Sequence, residues 1–538
     1  MAIKVLPSLL LASSYYTFPT LATGTIHPHV DVAIIGAGFS GLTAAKELQA
    51  ANKSIVVLEA YDRVGGRVFD DKFPDGTVTY RGAQFVGAAQ TNMVAMAKEM
   101  GVELIPTYNN GSTVLFINNT RSKFSSDSSV TGDLPVDAAS LTQVATTEML
   151  LNDLASEINP VAPWDHSRAN EWDSQTFASW LDTKNLSSTA RFVFDIAAST
   201  GFCEESGEVS FLSTLLSIGT SRNETGSGSF NQITSSVDGA ESMICKGGCQ
   251  SIAIKISELL GSEHVKLNAP VRIVRKTEHG YEISTDAGSV TSKKIVVAMP
   301  PVMSSRIQWV PPMPAGRDQI SQRMPMGSVA KAIAKYKTPF WRADGLNGQA
   351  FSNTGLVVST YDVSPEDGSS GVLLAFMHAD RARKIDGKSH KDIQAMVTKD
   401  FVNIFGPKAS AATDWIIQQW DQEEYTRGGY NSNFPPGTLT KYGPYIATPF
   451  QGIHFAGVET SLFWRGYMDG AISAGKRVAA EVFGSLNYIL GKGVAPPRRT
   501  EHVTVETITS QVTGFRNVDW SWKILMYNMV VYHQQREQ

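Results

Sequence analysis

Residues 31–41 read DVAIIGAGFSG. The run at 31–35 is short, apolar and β-branched, which predicts a buried strand, and it enters GAGFSG at 36–41 with no loop between. Residues 42–51 continue with the spacing of a helix. In such a strand-turn-helix Gly36 permits the tight turn, Gly38 lets a pyrophosphate approach the backbone, and Gly41 lets helix and strand pack closely; the helix N-terminus attracts the phosphates. A second β-rich run, SIVVL at 54–58, ends at Glu59, 18 residues past Gly41, where an acid meets a ribose hydroxyl. A glycine-rich turn between core elements requires none of this ordered context. The stretch therefore predicts a dinucleotide site.

Residues 62–67, DRVGGR, come next. Two glycines and two arginines just past the ribose acid let backbone come close to a ligand and let a guanidinium pair with phosphate. NAD and FAD both use the preceding unit; this continuation favours FAD.

With RVGGR behind the glycine fingerprint, the chain resembles the flavin-containing amine oxidase family, the group of monoamine and polyamine oxidases. Further blocks follow in that family's order: RGAQFVG at 81–87 with AKEMGVE at 97–103, GGCQSI at 247–252 with VKLNAPV at 265–271, MPMGSVAK at 324–331 with PFW at 339–341, FPPG at 434–437, HFAGVET at 454–460 and WRGYMDGA at 464–471. The similarity spans residues 30 to 485, about 85% of the chain.

The resemblance implies an α/β fold: a Rossmann-like FAD-binding domain built from 30–104, 241–316 and 423–485, interleaved with an α+β substrate domain from 105–240 and 317–422, with a C-terminal extension at 486–538. It implies FAD as the cofactor, expected to be noncovalent because of the departure at Gly429, and held by Gly36, Gly38, Gly41, Glu59, Arg67, Gln84, Val271, Trp420, Glu459 and Tyr467. Val271 would meet adenine through its backbone and Trp420 would flank the isoalloxazine. Tyr430 and Tyr467 would stand nearly perpendicular to the flavin. Their electron-rich faces suit an amine, because they attract its cation and hold the neutral nitrogen in orientation. Taken singly, either tyrosine would pass as a core aromatic. Lys331 would reach flavin N5 through a water, and its charge would stabilise the negative charge developing on oxygen. A helix beginning near Gly466 would direct its positive end at the flavin ring. Animal monoamine oxidases attach FAD to a cysteine just before the first tyrosine, where this chain has Gly429, so no thiol is available for a link. Arg427 and Arg465 beside these blocks are expected to face phosphate or solvent, although a guanidinium turned inward would suit a substrate carboxylate.

Outside these blocks the chain is less informative. It has 538 residues, 42% hydrophobic and 18% charged, with 45 Gly and 24 Pro, so disorder, collagen and coiled coil are excluded. A net charge of −4 argues against a nucleic-acid or anionic-membrane surface. Three cysteines make neither a disulfide scaffold nor a four-thiolate site, and the ten histidines show no ligand spacing, so no metal is expected. Residues 470–476, GAISAGK, match the start of a P-loop, but Arg477 stands where Ser or Thr belongs and the context is helical. Residues 1–22 resemble a secretory signal cut near Ala22, which points to the secretory pathway or the extracellular space; a cytoplasmic protein with a floppy tail is the alternative. Five sequons (Asn52, Asn110, Asn118, Asn185, Asn223) are compatible with glycosylation but occur near the chance level. The apolar run 520–532 contains Lys523 and is too short to span a bilayer.

The expected reaction is oxidative deamination of a small-molecule amine, with O2 reduced to hydrogen peroxide. One rival is an FAD oxidase or desaturase of an amino acid or biosynthetic intermediate. The other is a flavoprotein serving as a chaperone or redox partner.

Overall fold

The structure is a computed structural model and describes residues 25–125, 134–223 and 226–489. The expected signal at 1–22 and the run at 520–532 lie outside the described residues, as does most of the C-terminal extension.

The first sheet is centred on Thr25–Ile35. Its residues 32–35 pair in parallel with Ile55–Leu58 on one side and with 294–297 of Gly288–Val297 on the other. Strands flanked in parallel and covered on both faces lose polar alternation, and accordingly all four residues of Ile55–Leu58 are buried. Among the described residues this sheet has eight strands, and Ile453–Phe455 joins it beside the C-terminal half of Gly288–Val297.

Helix Phe39–Ala50 leaves the first strand and packs on Met468–Ile489. The crossing is close at Gly475, where an added Cβ would lie 2.4 Å from the Ser40 carbonyl oxygen. A packing requirement therefore accounts for this glycine of the P-loop-like stretch.

The second sheet has seven strands among the described residues, in the order Asp414–Gln419, Val329–Tyr336, Gly371–His378, Ser359–Asp362, Leu346–Ser352, Ser112–Ile117, Thr120–Ser125. Strand periodicity divides Val329–Tyr336 between two cores. Ala330, Ala332 and Ala334 face Ile393, Val397 and Phe401 of helix His390–Phe405, whereas Val329 and Ile333 face the cluster with Phe376 and Trp420. Lys331 shares that second face.

A three-stranded sheet of Phe85–Val86, Met243–Cys245 and Leu104–Pro106 lies between segments of the two halves in sequence. Helices from 138–234 close the remainder around Trp172, Phe177, Phe194 and Phe211, with the Trp180 and Phe211 rings stacked at 4.4 Å. Among the described residues, no helix is long and apolar enough to cross a membrane.

Candidate active site

A cavity of about 530 Å³ is lined by residues of both large sheets, from Gly36 to Lys331. At one end it has the form a dinucleotide requires. Gly36 has φ +104°, and a Cβ there would lie 2.7 Å from the Ala298 carbonyl oxygen; a Cβ on Gly41 would lie 2.0 Å from that of Gly36. Before Gly38 there is room, with the Gly65 oxygen 4.0 Å from an added Cβ. Gly38 is also the N-cap of Phe39–Ala50 and supplies no side-chain cap, which leaves the helix N-terminus available to an anion. Glu59 on the wall accepts from Ala37 N at 2.6 Å and Tyr61 N at 2.9 Å, and burial raises its pKa. The Glu59 carbonyl accepts from Ala269 N at 2.7 Å, which ties the segment carrying Val271 to the same wall. Arg67 lines the cavity as well. Arg63 does not: it donates to Gly66 O at 2.9 Å and lies over the Phe69 ring at 3.9 Å, so it shapes the loop.

Toward the other end, Lys331 is 3% exposed and donates to Tyr80 O (3.1 Å), Gly82 O (2.6 Å) and Gln84 Oε1 (2.9 Å). Three acceptors suit the three hydrogens of an ammonium. Burial nevertheless lowers its pKa to about 7, opposed by the Asp70 charge. Gln84 Nε2 is buried without a partner among the described residues, so a donor stands ready on the cavity wall. Trp420 lines this region too, its indole donating to Arg81 O at 2.9 Å. Uncapped helix, ribose acid and orphan amide together fit a flavin dinucleotide.

Tyr430 and Tyr467 line the same cavity. Tyr467 meets Trp464 edge-on at 5.2 Å, and Tyr430 meets Phe376 edge-on at 6.3 Å. Burial raises the pKa of both phenols, so both remain neutral. The Gly429–Tyr430 peptide bond is cis. Arg67 Nη1 donates to Tyr430 O at 2.5 Å and to Glu459 Oε1 at 3.2 Å. Glu459 itself is fully buried and is not part of the cavity wall. Its reach toward a cofactor is through Arg67.

Two wall residues, Glu241 and Tyr361, and one residue behind the wall, His378, were not singled out from sequence. His378 Nε2 lies 2.9 Å from the Tyr430 hydroxyl, and Tyr361 donates to Glu241 Oε2 at 2.7 Å; Glu241 and Tyr361 both face the cavity. His378 carries one faint signal, as the polar end of the apolar strand Gly371–His378; Glu241, after a Ser- and Gly-rich loop, carries none. Arg427 and Arg465 both line the cavity, Arg427 exposed and Arg465 not: the Arg465 guanidinium lies over Phe434 at 4.8 Å, and burial lowers its pKa to about 10. The Phe434 ring and the nearby Glu459 charge hold it inward, toward the cavity and away from bulk solvent. Cys245 and Cys249 form a disulfide, which the cysteine count did not suggest.

The family model for flavin containing amine oxidoreductases matches residues 39–483. A probable flavin-containing monoamine oxidase A of Dictyostelium discoideum is 34% identical over 453 residues, 84% of this chain and 97% of that one. An L-amino acid dehydrogenase of a Synechocystis strain is 31% identical over 464 residues, 85% of this chain and 95% of that one. Among solved structures, a wild-type putrescine oxidase bound to putrescine matches with a TM-score of 0.80 and 32% identity, covering 86% of this chain and 100% of that chain.

Proposed function

The chain belongs to the flavin-containing amine oxidoreductase family and is a flavin-dependent oxidoreductase acting on amines; from that premise we propose that it is an oxidase of primary amines that holds FAD noncovalently. FAD, which Gly36, Gly38, Glu59 and Arg67 would hold, would supply the two-electron acceptor for a hydride from the carbon bearing the amine, so that the imine would hydrolyse to aldehyde and ammonia and dioxygen would carry the electrons off as hydrogen peroxide.

The observation that carries this reading is the meeting of Tyr430, Tyr467 and Lys331 on one cavity. Two neutral ring faces orient the amine and exclude water. Lys331 holds its proton at Nζ against Gln84 and two backbone carbonyls, which supplies a positive charge where oxygen is reduced. Arg67 spans Tyr430 O and Glu459, and so fixes the first tyrosine to the cofactor domain.

Noncovalent binding is supported by Gly429 and by the cysteines. Cys203, the free thiol, is fully buried and stands off the cavity wall, where burial raises its pKa; Cys245 and Cys249 are bonded to each other. That disulfide, the signal-like residues 1–22 and the exposure of Asn52, Asn110, Asn118 and Asn185 support export to an oxidising compartment.

Arg465 favours a second reading, an amino acid whose carboxylate meets this guanidinium. A peroxide-coupled assay of the purified yellow protein against primary amines and amino acids decides between them, with absorbance recorded before and after acid precipitation. Peroxide from amines, and FAD released into the acid supernatant, are expected. Peroxide from amino acids alone would replace the first reading with the second.

A further inference from the structure

We infer that Glu241 recognises a second cationic group on the substrate, which makes diamines the preferred class; the inference rests on the amine-oxidase reading above. Glu241 is held rigidly. It lies two residues before strand Met243–Cys245, the middle strand of its sheet, and its own carbonyl accepts from Thr107 Oγ1 at 2.7 Å. Its side chain lines the cavity, where Oε2 accepts from the Tyr361 hydroxyl at 2.7 Å.

A row of rings connects this carboxylate to the tyrosine pair. Tyr361 meets Phe376 edge-on at 5.8 Å, and Phe376 meets Tyr430 edge-on at 6.3 Å. The Glu241 charge acts on both Tyr430 and Tyr467, so a substrate with its reactive nitrogen between those rings shares its cavity with a carboxylate, and Phe376 and Phe351 supply apolar surface on the same wall.

A carboxylate in such a wall is costly unless something offsets its charge. Burial raises the Glu241 pKa to about 7, opposed by the Tyr361 hydroxyl; among the described residues no lysine or arginine offsets its charge. The other carboxylates on the cavity wall, Glu59 and Glu424, accompany the dinucleotide residues. An incoming ammonium would provide the missing countercharge through a charge-assisted hydrogen bond. The same carboxylate repels a substrate that carries an acid group, which opposes the attraction of Arg465.

The test uses the flavin-loaded enzyme and matched pairs, 1,4-diaminobutane against butylamine and 1,5-diaminopentane against pentylamine, in the peroxide-coupled assay. The native enzyme is expected to show kcat/KM at least about 10-fold higher for each diamine. In Glu241→Gln, checked for its flavin absorbance, the diamine-to-monoamine ratio should fall about 10- to 100-fold, chiefly through KM, and Glu241→Asp should recover part of it. A native ratio near one, or an equal loss for both members of a pair in Glu241→Gln, overturns the inference while peroxide from monoamines leaves the amine-oxidase reading standing. If no amine of either class yields peroxide or bleaches the flavin, that reading fails and this inference falls with it. The native ratio decides the matter even if the variant does not fold.

Discussion

The Nε2 of His378 lies 2.9 Å from the hydroxyl of Tyr430, so a cavity tyrosine is held by an imidazole at the end of a strand of the seven-stranded sheet. Burial, reinforced by the charges of Arg381 and Lys331, lowers the His378 pKa to about 3, so the ring is neutral and fixes the phenol without adding charge. His378→Leu should retain flavin absorbance and lower kcat/KM for amines about 10-fold, the worth of one hydrogen bond. Because this imidazole does not titrate between pH 5 and 8, the two pH–rate profiles should coincide in shape there; a break present only in the native enzyme would contradict the assignment.

Lys331 has its pKa lowered to about 7 from 10.5. Between those values the unfolded chain binds more protons than the folded one, so the contribution of this residue to stability rises with pH across that window. Lys331→Met should flatten the rise of Tm between pH 7 and 10, measured by thermal unfolding at several pH values. The same variant should lose peroxide production by about 100-fold or more, since a charge facing the reacting centre is removed.

Glu459 is fully buried, accepts from Arg67 Nη1 and Ser432 N, each at 3.2 Å, and its charge also acts on half-buried Arg465. Glu459→Gln leaves two guanidinium groups without a countercharge. Since Arg67 keeps 24% of its side-chain exposure, the loss should lie at the lower end for a broken buried pair, about 3 kcal/mol by chemical denaturation. An unchanged midpoint would show that solvent compensates both cations.

The Cys245–Cys249 bridge closes a short loop, with a sequence separation of 4, so chain entropy predicts a stabilisation of about 2 kcal/mol. Dithiothreitol should lower Tm of the native protein and leave that of a Cys245→Ser, Cys249→Ser variant unchanged. Equal sensitivity of the two would mean that the bridge does not form in solution.

What the chain revealed before folding was local. GAGFSG at 36–41 specifies a turn because positive φ at Gly36 and close approach at Gly41 admit no side chain, and these constraints act between near neighbours. The run IVVL at 55–58 and the acid after it likewise need only strand geometry to be placed. Tyr430, Tyr467 and Lys331 stood out because they occur in extended blocks resembling a known family; no periodicity marks them.

His378, Glu241 and Arg465 depend on relationships that no local stretch contains. Val329 pairs with His378 and Lys331 with Phe376 in an antiparallel register, so the face carrying Lys331 also carries the imidazole. A slip of one residue between these two strands would put the ammonium and the imidazole on opposite faces. The partner of Glu241, Tyr361, is 120 residues away, and Arg465 is turned inward by Phe434 and Glu459. Sequence by itself thus determined the dinucleotide turn, the α/β class and the family, because these follow from backbone sterics and contiguous motifs. Only the tertiary structure decided which charged groups share a cavity with the tyrosines, because that depends on how strands distant in the chain align and what their packing excludes from water.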